Sequence, residues 1–353
     1  MSGPELELPT DVDGKRRKAP GAVVFDRDSM LWQMFADPRP WILNGTAAFI
    51  LQGMHPVIAA AVFDHSTVFS DPGRRAWRSL DAVMRWIYGG DRALDEARVM
   101  RAIHKDIVGV DFDGQRYHAL QPEPFAWVWA TAWLPAIASL ELFQPEPVTQ
   151  ELKERLYEEL KNLGRILGVQ ERCIPSTVDE FEAYWDDMIA RLAAGHDGIA
   201  EGLGLFSRPP APRFVPRLLW WPISVVAGRA TIFLLAAGGP AEIRPLLEQH
   251  LGYSWTPKRQ RAAERLITIL RLGNKVPAPV RRLHEPALVR LARRRRFLTT
   301  EPSPSIQELL GSAALDPSDA PKCPADRPGI TVLHDPALRR RVNSLRRAPS
   351  RTE

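Results

Sequence analysis

The sequence predicts an all-α protein, one large multi-helix domain followed by a flexible C-terminal tail. Three observations carry this. Alternating apolar and polar runs separated by Asn-Gly or Asp-Gly turns, the mark of β-hairpins, are almost absent. Helix start and stop signals recur along the chain. The 32 prolines fall mostly between apolar runs and in the tail, as hard stops between short helices.

In chain order, residues 1–20 read as a flexible lead. Its basic cluster Lys15-Arg16-Arg17-Lys18 is followed by no apolar secretion segment, so a cytoplasmic location is expected. The apolar stretch 41–63 carries His55-Pro56, where a helix is bent or interrupted, and His65 is placed to cap the end of that segment. Asp91 is expected to cap a helix that passes Arg101 and His104 and stops at Gly109. A helix over about 149–167 starts at Thr149, and Thr177-Val-Asp-Glu forms a capping box ahead of FEAYWDDMIARLAA. Pro257 sits near the start of the amphipathic KRQRAAERLITILRL. The longest apolar runs, Phe125–Phe143, Leu218–Gly228 and Ala230–Gly239, are broken or interrupted by Pro135, Pro222 and Arg229 and are expected to be buried core helices, not membrane spans. Nine to twelve helices are expected in a domain spanning 21–300. Beyond Thr300 the composition turns to Pro, Ser, Asp and Arg, and 301–353 are expected to be mostly disordered.

Composition narrows the function. With 353 residues, 45% of them hydrophobic and 25% charged, the chain has ample material for a buried core. Cys173 and Cys323 have no partner spacing, which excludes a disulfide framework or a cysteine-rich metal site, and Cys173 is expected to be a reduced thiol. The net charge of +5 concentrates in Arg281–Arg296 and Arg339–Arg351. A solvated C-terminal helix explains the first cluster. It accompanies no nucleic-acid-binding module, and at most a peripheral membrane contact through Arg281–Arg296 is expected. P-loop, dinucleotide-binding, GxSxG and HExxH signatures are absent.

Two groups of residues carry possible chemistry. Stepping by three and four gives Ala93, Ala97, Met100, His104 and Ile107, an apolar stripe with one imidazole in it. By spacing alone His104 is either a core histidine with a backbone partner or an iron ligand with small residues beside it. Arg75, Arg78 and Ser79, at i, i+3 and i+4, share one helix face. They are either a solvated surface or a cationic patch awaiting an anion.

In order along the chain, the motifs resemble the catalytic domain of the MpaB/rubber-oxygenase (latex-clearing protein) family of haem b oxygenases. The family's LLQxxHPxVAAxVxxHS pattern appears from Ile50-Leu51-Gln52 through His55-Pro56 to His65-Ser66. Its Arg-x-x-Lys/Arg-Thr motif appears as Arg75-Ala-Trp-Arg78-Ser79, with His104 following in RVMRAIHKDIVG. Tyr117-His-Ala119, Pro124 and Trp127-Val-Trp129-Ala-Thr131 match its YxAxxP…WVHAT stretch. Leu167-Gly168-Val169, Pro175, Tyr184, Leu251-Gly252, Trp255 and the 277–296 segment follow in the family's order, so the likeness covers roughly residues 25–297.

The resemblance implies a helical domain enclosing a haem pocket, haem b as cofactor and His104 as the proximal iron ligand, with Ala97, Met100, Arg101 and Arg75 around the cofactor. Arg75, Arg78 and Ser79 are the implied catalytic set, ordering the propionates or the dioxygen side. The apolar residues of 41–63 and 125–143 are implied to line the pocket and an access channel. The implied partners are dioxygen and a hydrophobic small molecule, with oxidative C=C cleavage of a terpenoid or isoprenoid as the family's reaction. Hydroxylation or desaturation, and a non-catalytic haem-binding protein, remain alternatives. Three departures argue against polyisoprene as substrate: Ser79 for Thr, Arg78 for the Lys that can cap the iron, and Trp129 for the histidine of WVHAT.

Overall fold

The computed structural model describes residues 22–294 apart from 67, 69–71, 113, 144–146, 197 and 212–214. The lead at 1–20 and the tail at 301–353 lie outside the described residues. The chain opens with α1 (Met30–Phe35), α2 (Pro38–Pro40), a π-helical turn over Trp41–Gly45 and α3 (Thr46–Gly53). It continues through α4 (Pro56–His65), α5 (Pro72–Tyr88) and α6 (Arg92–His104). A hairpin of β1 (Val108–Val110) and β2 (Arg116–His118) follows. Then come α7 (Pro122–Ala130), α8 (Trp133–Phe143), α9 (Gln150–Leu167), α10 (Val178–Leu192), α11 (Ile199–Ser207) and α12 (Arg217–Gly238). The described part closes with α13 (Arg244–Leu251), α14 (Pro257–Arg271), α15 (Ala278–Arg281) and α16 (Glu285–Ala292). The all-α prediction therefore holds, with more and shorter helices than expected.

Local signals account for most helix boundaries. Thr149 Oγ1 accepts from Leu152 N at 3.2 Å, and Thr177 Oγ1 accepts from Glu180 N at 3.2 Å. Glu180 reaches back to Ser176 N at 2.8 Å, one residue before the place a capping box requires. The bend at Pro56 is 91° between the Pro38–Gly53 and Pro56–His65 segments. There His55 Nδ1 accepts from Val57 N at 3.2 Å and caps α4.

Two boundaries differ from the sequence reading. Asp91 makes no side-chain cap, and α6 starts instead from a Gly89-Gly90 turn in which Ala93 N donates to Gly90 O. The same helix ends at His104, not Gly109. Gly109 lies in β1 opposite Tyr117, so close that a Cβ there would come within 3 Å of the Tyr117 ring and hydroxyl. A helix-stop glycine and a close-approach strand glycine look alike in sequence.

The main core is built around α7 and α8. Trp127, Trp129, Trp133 and Leu140 are buried there, and the ring of Phe181 on α10 stands against Trp129, Trp133 and Tyr157. The Pro122–Phe143 run is thus mostly buried, as expected. The Leu218–Gly228 run is largely exposed, whereas Ala230–Gly239 puts Ile232, Leu235 and Ala236 in the core. Leu218–Gly238 is one continuous helix through Pro222 and Arg229, and only 22% of its apolar window is buried. A segment apolar on every side has no periodicity to say which face is covered, and here composition misled.

Two further expectations are corrected. The Arg281–Arg296 segment is no single solvated helix: α16 packs against α5, with Leu288, Val289 and Leu291 on the core. Arg85 donates to Ala292 O and Arg294 O, fastening this basic segment by its backbone carbonyls. Cys173 is disulfide-bonded, against the expected reduced thiol.

Candidate functional site

His104 occupies the last turn of α6, and α5 packs along that helix through the tight Gly89-Gly90-Asp91 connection. Its Nδ1 lies 2.7 Å from Met100 O. A carbonyl only accepts, so Nδ1 carries the proton and Nε2 keeps its lone pair. Burial pushes the imidazole pKa down, and the Arg75 and Arg101 guanidiniums push it the same way against the Met100 carbonyl. The ring is therefore a neutral, pre-oriented donor at physiological pH.

Arg75 is fixed from two sides. Its Nε donates to Ser66 Oγ at 3.1 Å and its Nη1 to Ser79 Oγ, while Ser79 Oγ also donates to Arg75 O at 3.3 Å. Burial and the neighbouring Arg78 both lower the Arg75 pKa. Two guanidiniums on one half-buried helix face favour an anionic or electron-rich guest. The helix-face reading of Arg75, Arg78 and Ser79 is thus realised in three dimensions.

Other named residues are placed differently. Arg101 Nη1 donates to Gly168 O at 2.9 Å, and its guanidinium lies over Phe125 at 5.5 Å. Gly168 is the left-handed cap of α9 (φ 77°), so Arg101 places a cation at a helix C-terminus. Ala93 and Ala97 lie in the main core, where α6 meets α9. Met100 contributes its carbonyl to His104 and packs its side chain on that core. Trp129 is a core residue: its Nε1 donates to Leu160 O at 2.7 Å, and the absent Cβ of Gly164 leaves room for its indole.

The sequence offered His65 as a helix-end cap and Leu51, Gln52 and Ser66 as motif positions, but not the way these residues brace the site. Asp64, His65 and Ser66, at the end of α4, each hold a different element. Tyr117 OH donates to Asp64 Oδ2 at 3.2 Å, His65 Nε2 meets Val108 O at 3.1 Å, and Ser66 receives Arg75. Three consecutive residues thus tie β2, β1 and α5 to α4. The Leu51-Gln52 pair does similar work, taking Trp127 Nε1 on Leu51 O and giving Gln52 Nε2 to Thr131 Oγ1, at 2.9 and 2.8 Å. The signal available was adjacency, since these polar residues interrupt an otherwise apolar stretch.

A second polar group lies at the start of α7. Glu123 and Arg191 pair at 2.8 Å, and His55 is buried near both, its pKa lowered to about 4 chiefly by burial. Among the described residues no group of three or more His, Cys, Asp or Glu is arranged to hold a metal ion. A metal-bearing group held by one imidazole is the kind that His104 fits.

The helices are thus braced around a neutral histidine and a fixed Arg75. Residues 32–272, about two thirds of the chain, match the family described as ER-bound oxygenase mpaB/B'/rubber oxygenase, catalytic domain, and the chain belongs to it. Among curated proteins it is similar to the uncharacterized protein Mb2261 of Mycobacterium bovis and the uncharacterized protein Rv2237 of Mycobacterium tuberculosis. Each is 25% identical over 215 residues, spanning 60% of this chain and 79% of the relative. No solved structure matches the chain significantly.

Proposed function

We propose that the chain is a haem b-dependent oxygenase that oxidises a hydrophobic small molecule with dioxygen, with His104 Nε2 as the iron ligand. The observation that carries this is the His104 Nδ1–Met100 O bond, which leaves Nε2 its lone pair on a ring that burial and the Arg75 charge keep neutral. Haem, when bound, supplies the dioxygen and redox chemistry. The remaining roles belong to the chain. The Met100 carbonyl holds the Nδ1 proton and makes the imidazole a better electron donor. Arg75, clamped by Ser66 and Ser79, offers a positioned positive charge to a propionate or to a polar end of the substrate. Arg78 adds a charge that stays protonated and so cannot close the iron as a lysine can.

The substrate class we infer is an unsaturated terpenoid or isoprenoid, and the reaction is oxidative C=C cleavage. Hydroxylation or desaturation at the same site is the second reading, favoured by Arg78 and by Trp129, whose indole is committed to the core. Isotopic dioxygen with a panel of lipophilic alkenes, each with and without ascorbate as the two-electron donor that hydroxylation and desaturation require, separates them. Label in two carbonyl fragments supports cleavage, label in one hydroxyl supports hydroxylation, and label in water alone with a desaturated product supports desaturation. Haem-loaded protein that consumes no dioxygen with any of them is a binding protein, and the oxygenase reading fails.

A further inference from the structure

The longest helix, α12, exposes an apolar stripe that the oxygenase chemistry leaves unexplained. Leu218 is 85% exposed, Leu219 63%, Trp221 67%, Ile223 50% and Val226 68%. Leu219, Ile223, Val226 and Ala230 fall on one side of the helix, opposite Gly228, Ile232 and Leu235. That opposite side is fastened to the domain. A Cβ on Gly228 would lie 1.8 Å from Ser207 O, and one on Gly238 would lie 2.2 Å from Leu43 O. With backbone against backbone at two points 10 residues apart, α12 lies lengthwise along the domain.

We propose that α12 is a monotopic membrane-docking helix, lying in the surface of an anionic lipid bilayer with the Leu219–Val226 stripe in the acyl boundary. Charge selects this occupant. Residues 202–241 contain no Asp or Glu but four arginines, Arg208, Arg213, Arg217 and Arg229. Arg208 and Arg229 are exposed, and helical spacing puts Arg229 at the flank of the stripe. An acid-free apolar helix with basic flanks and an exposed tryptophan near its N-terminus suits lipid headgroups and the layer beneath them. A second copy suits it badly, because a two-fold contact sets Arg229 and its neighbours against themselves with no carboxylate between. The proposal stands on the surface of α12 and does not depend on haem at His104.

The test is co-sedimentation of the full-length protein with phosphatidylcholine vesicles, with and without phosphatidylglycerol. The protein is expected to bind both, more strongly with phosphatidylglycerol, and salt removes only that increment. The double variant L219E/V226E is expected to lower partitioning about tenfold or more with unchanged circular dichroism. Val23→Glu, an exposed apolar position outside α12, leaves partitioning unchanged. Brominated acyl chains are expected to quench the wild-type tryptophan fluorescence, and L219E/V226E to lose that quenching. Absence of vesicle binding, or equal binding by L219E/V226E, overturns the proposal. So does self-association by light scattering that the double variant abolishes while neither protein binds vesicles.

Discussion

Arg75 bonds two hydroxyls from different stretches of chain, Ser66 at the end of α4 and Ser79 one turn on in its own helix. Ser66 accepts the Arg75 Nε–H, so its role is to position Arg75. Ser66→Ala removes one bond to a charged donor, and kcat/KM is expected to fall about tenfold, mostly in kcat. Ser66→Thr, which keeps the hydroxyl, restores most of the rate; a merely structural role predicts no such rescue. Trp129→His restores the residue usual in the family, but it hollows a site packed by Phe181 and Gly164. The variant is expected to lose roughly 3 kcal/mol in denaturant unfolding with no gain in turnover. At this scale helix periodicity set the arginine pair and the histidine on their faces, and the family resemblance singled them out. It did not show that Arg101 is committed to Gly168 and Phe125, or that Ser66 steadies Arg75. Those partners meet only once distant segments pack.

Helix caps were legible because they are local: Thr149 and Thr177 each bond a backbone amide three residues on. The hairpin after α6 was not, since its strands are three residues each and Gly109 imitates a helix stop. What fixes Gly109 is the Tyr117 ring opposite, itself bonded to Asp64. Gly109→Ala must therefore push Tyr117 aside. The expected result is a destabilisation of about 1–3 kcal/mol and a loosened α4–hairpin junction, seen as faster amide exchange at Val108 and His118. Exchange unchanged from wild type contradicts the assignment of this glycine to close approach. The direction of α12 was hidden for a different reason, its uniform apolarity, and the two glycine contacts on its inner side reveal it.

Across the whole molecule, buried histidines set the acid limit. The His55 pKa falls from 6.5 to about 4 on folding, so the unfolded chain binds the extra proton first. Stability from this group is fully present above pH 6.5 and is lost as pH falls through the window toward 4, at most about 3 kcal/mol. His104 shifts in the same direction and adds to the slope. Urea unfolding across this range is expected to show stability rising with pH, with a shallower slope in His55→Gln. A slope of opposite sign contradicts the buried, neutral state of both rings.

The central claim is that His104 holds the haem. The measurement closest to it is the absorption spectrum and pyridine haemochrome of purified wild type and His104→Ala, expressed with haem precursor. The account predicts a Soret band with near-stoichiometric haem b in wild type, lost or strongly shifted in the variant, whose fold by circular dichroism is unchanged. Colourless wild-type protein, or haem retained with an identical spectrum in His104→Ala, contradicts it.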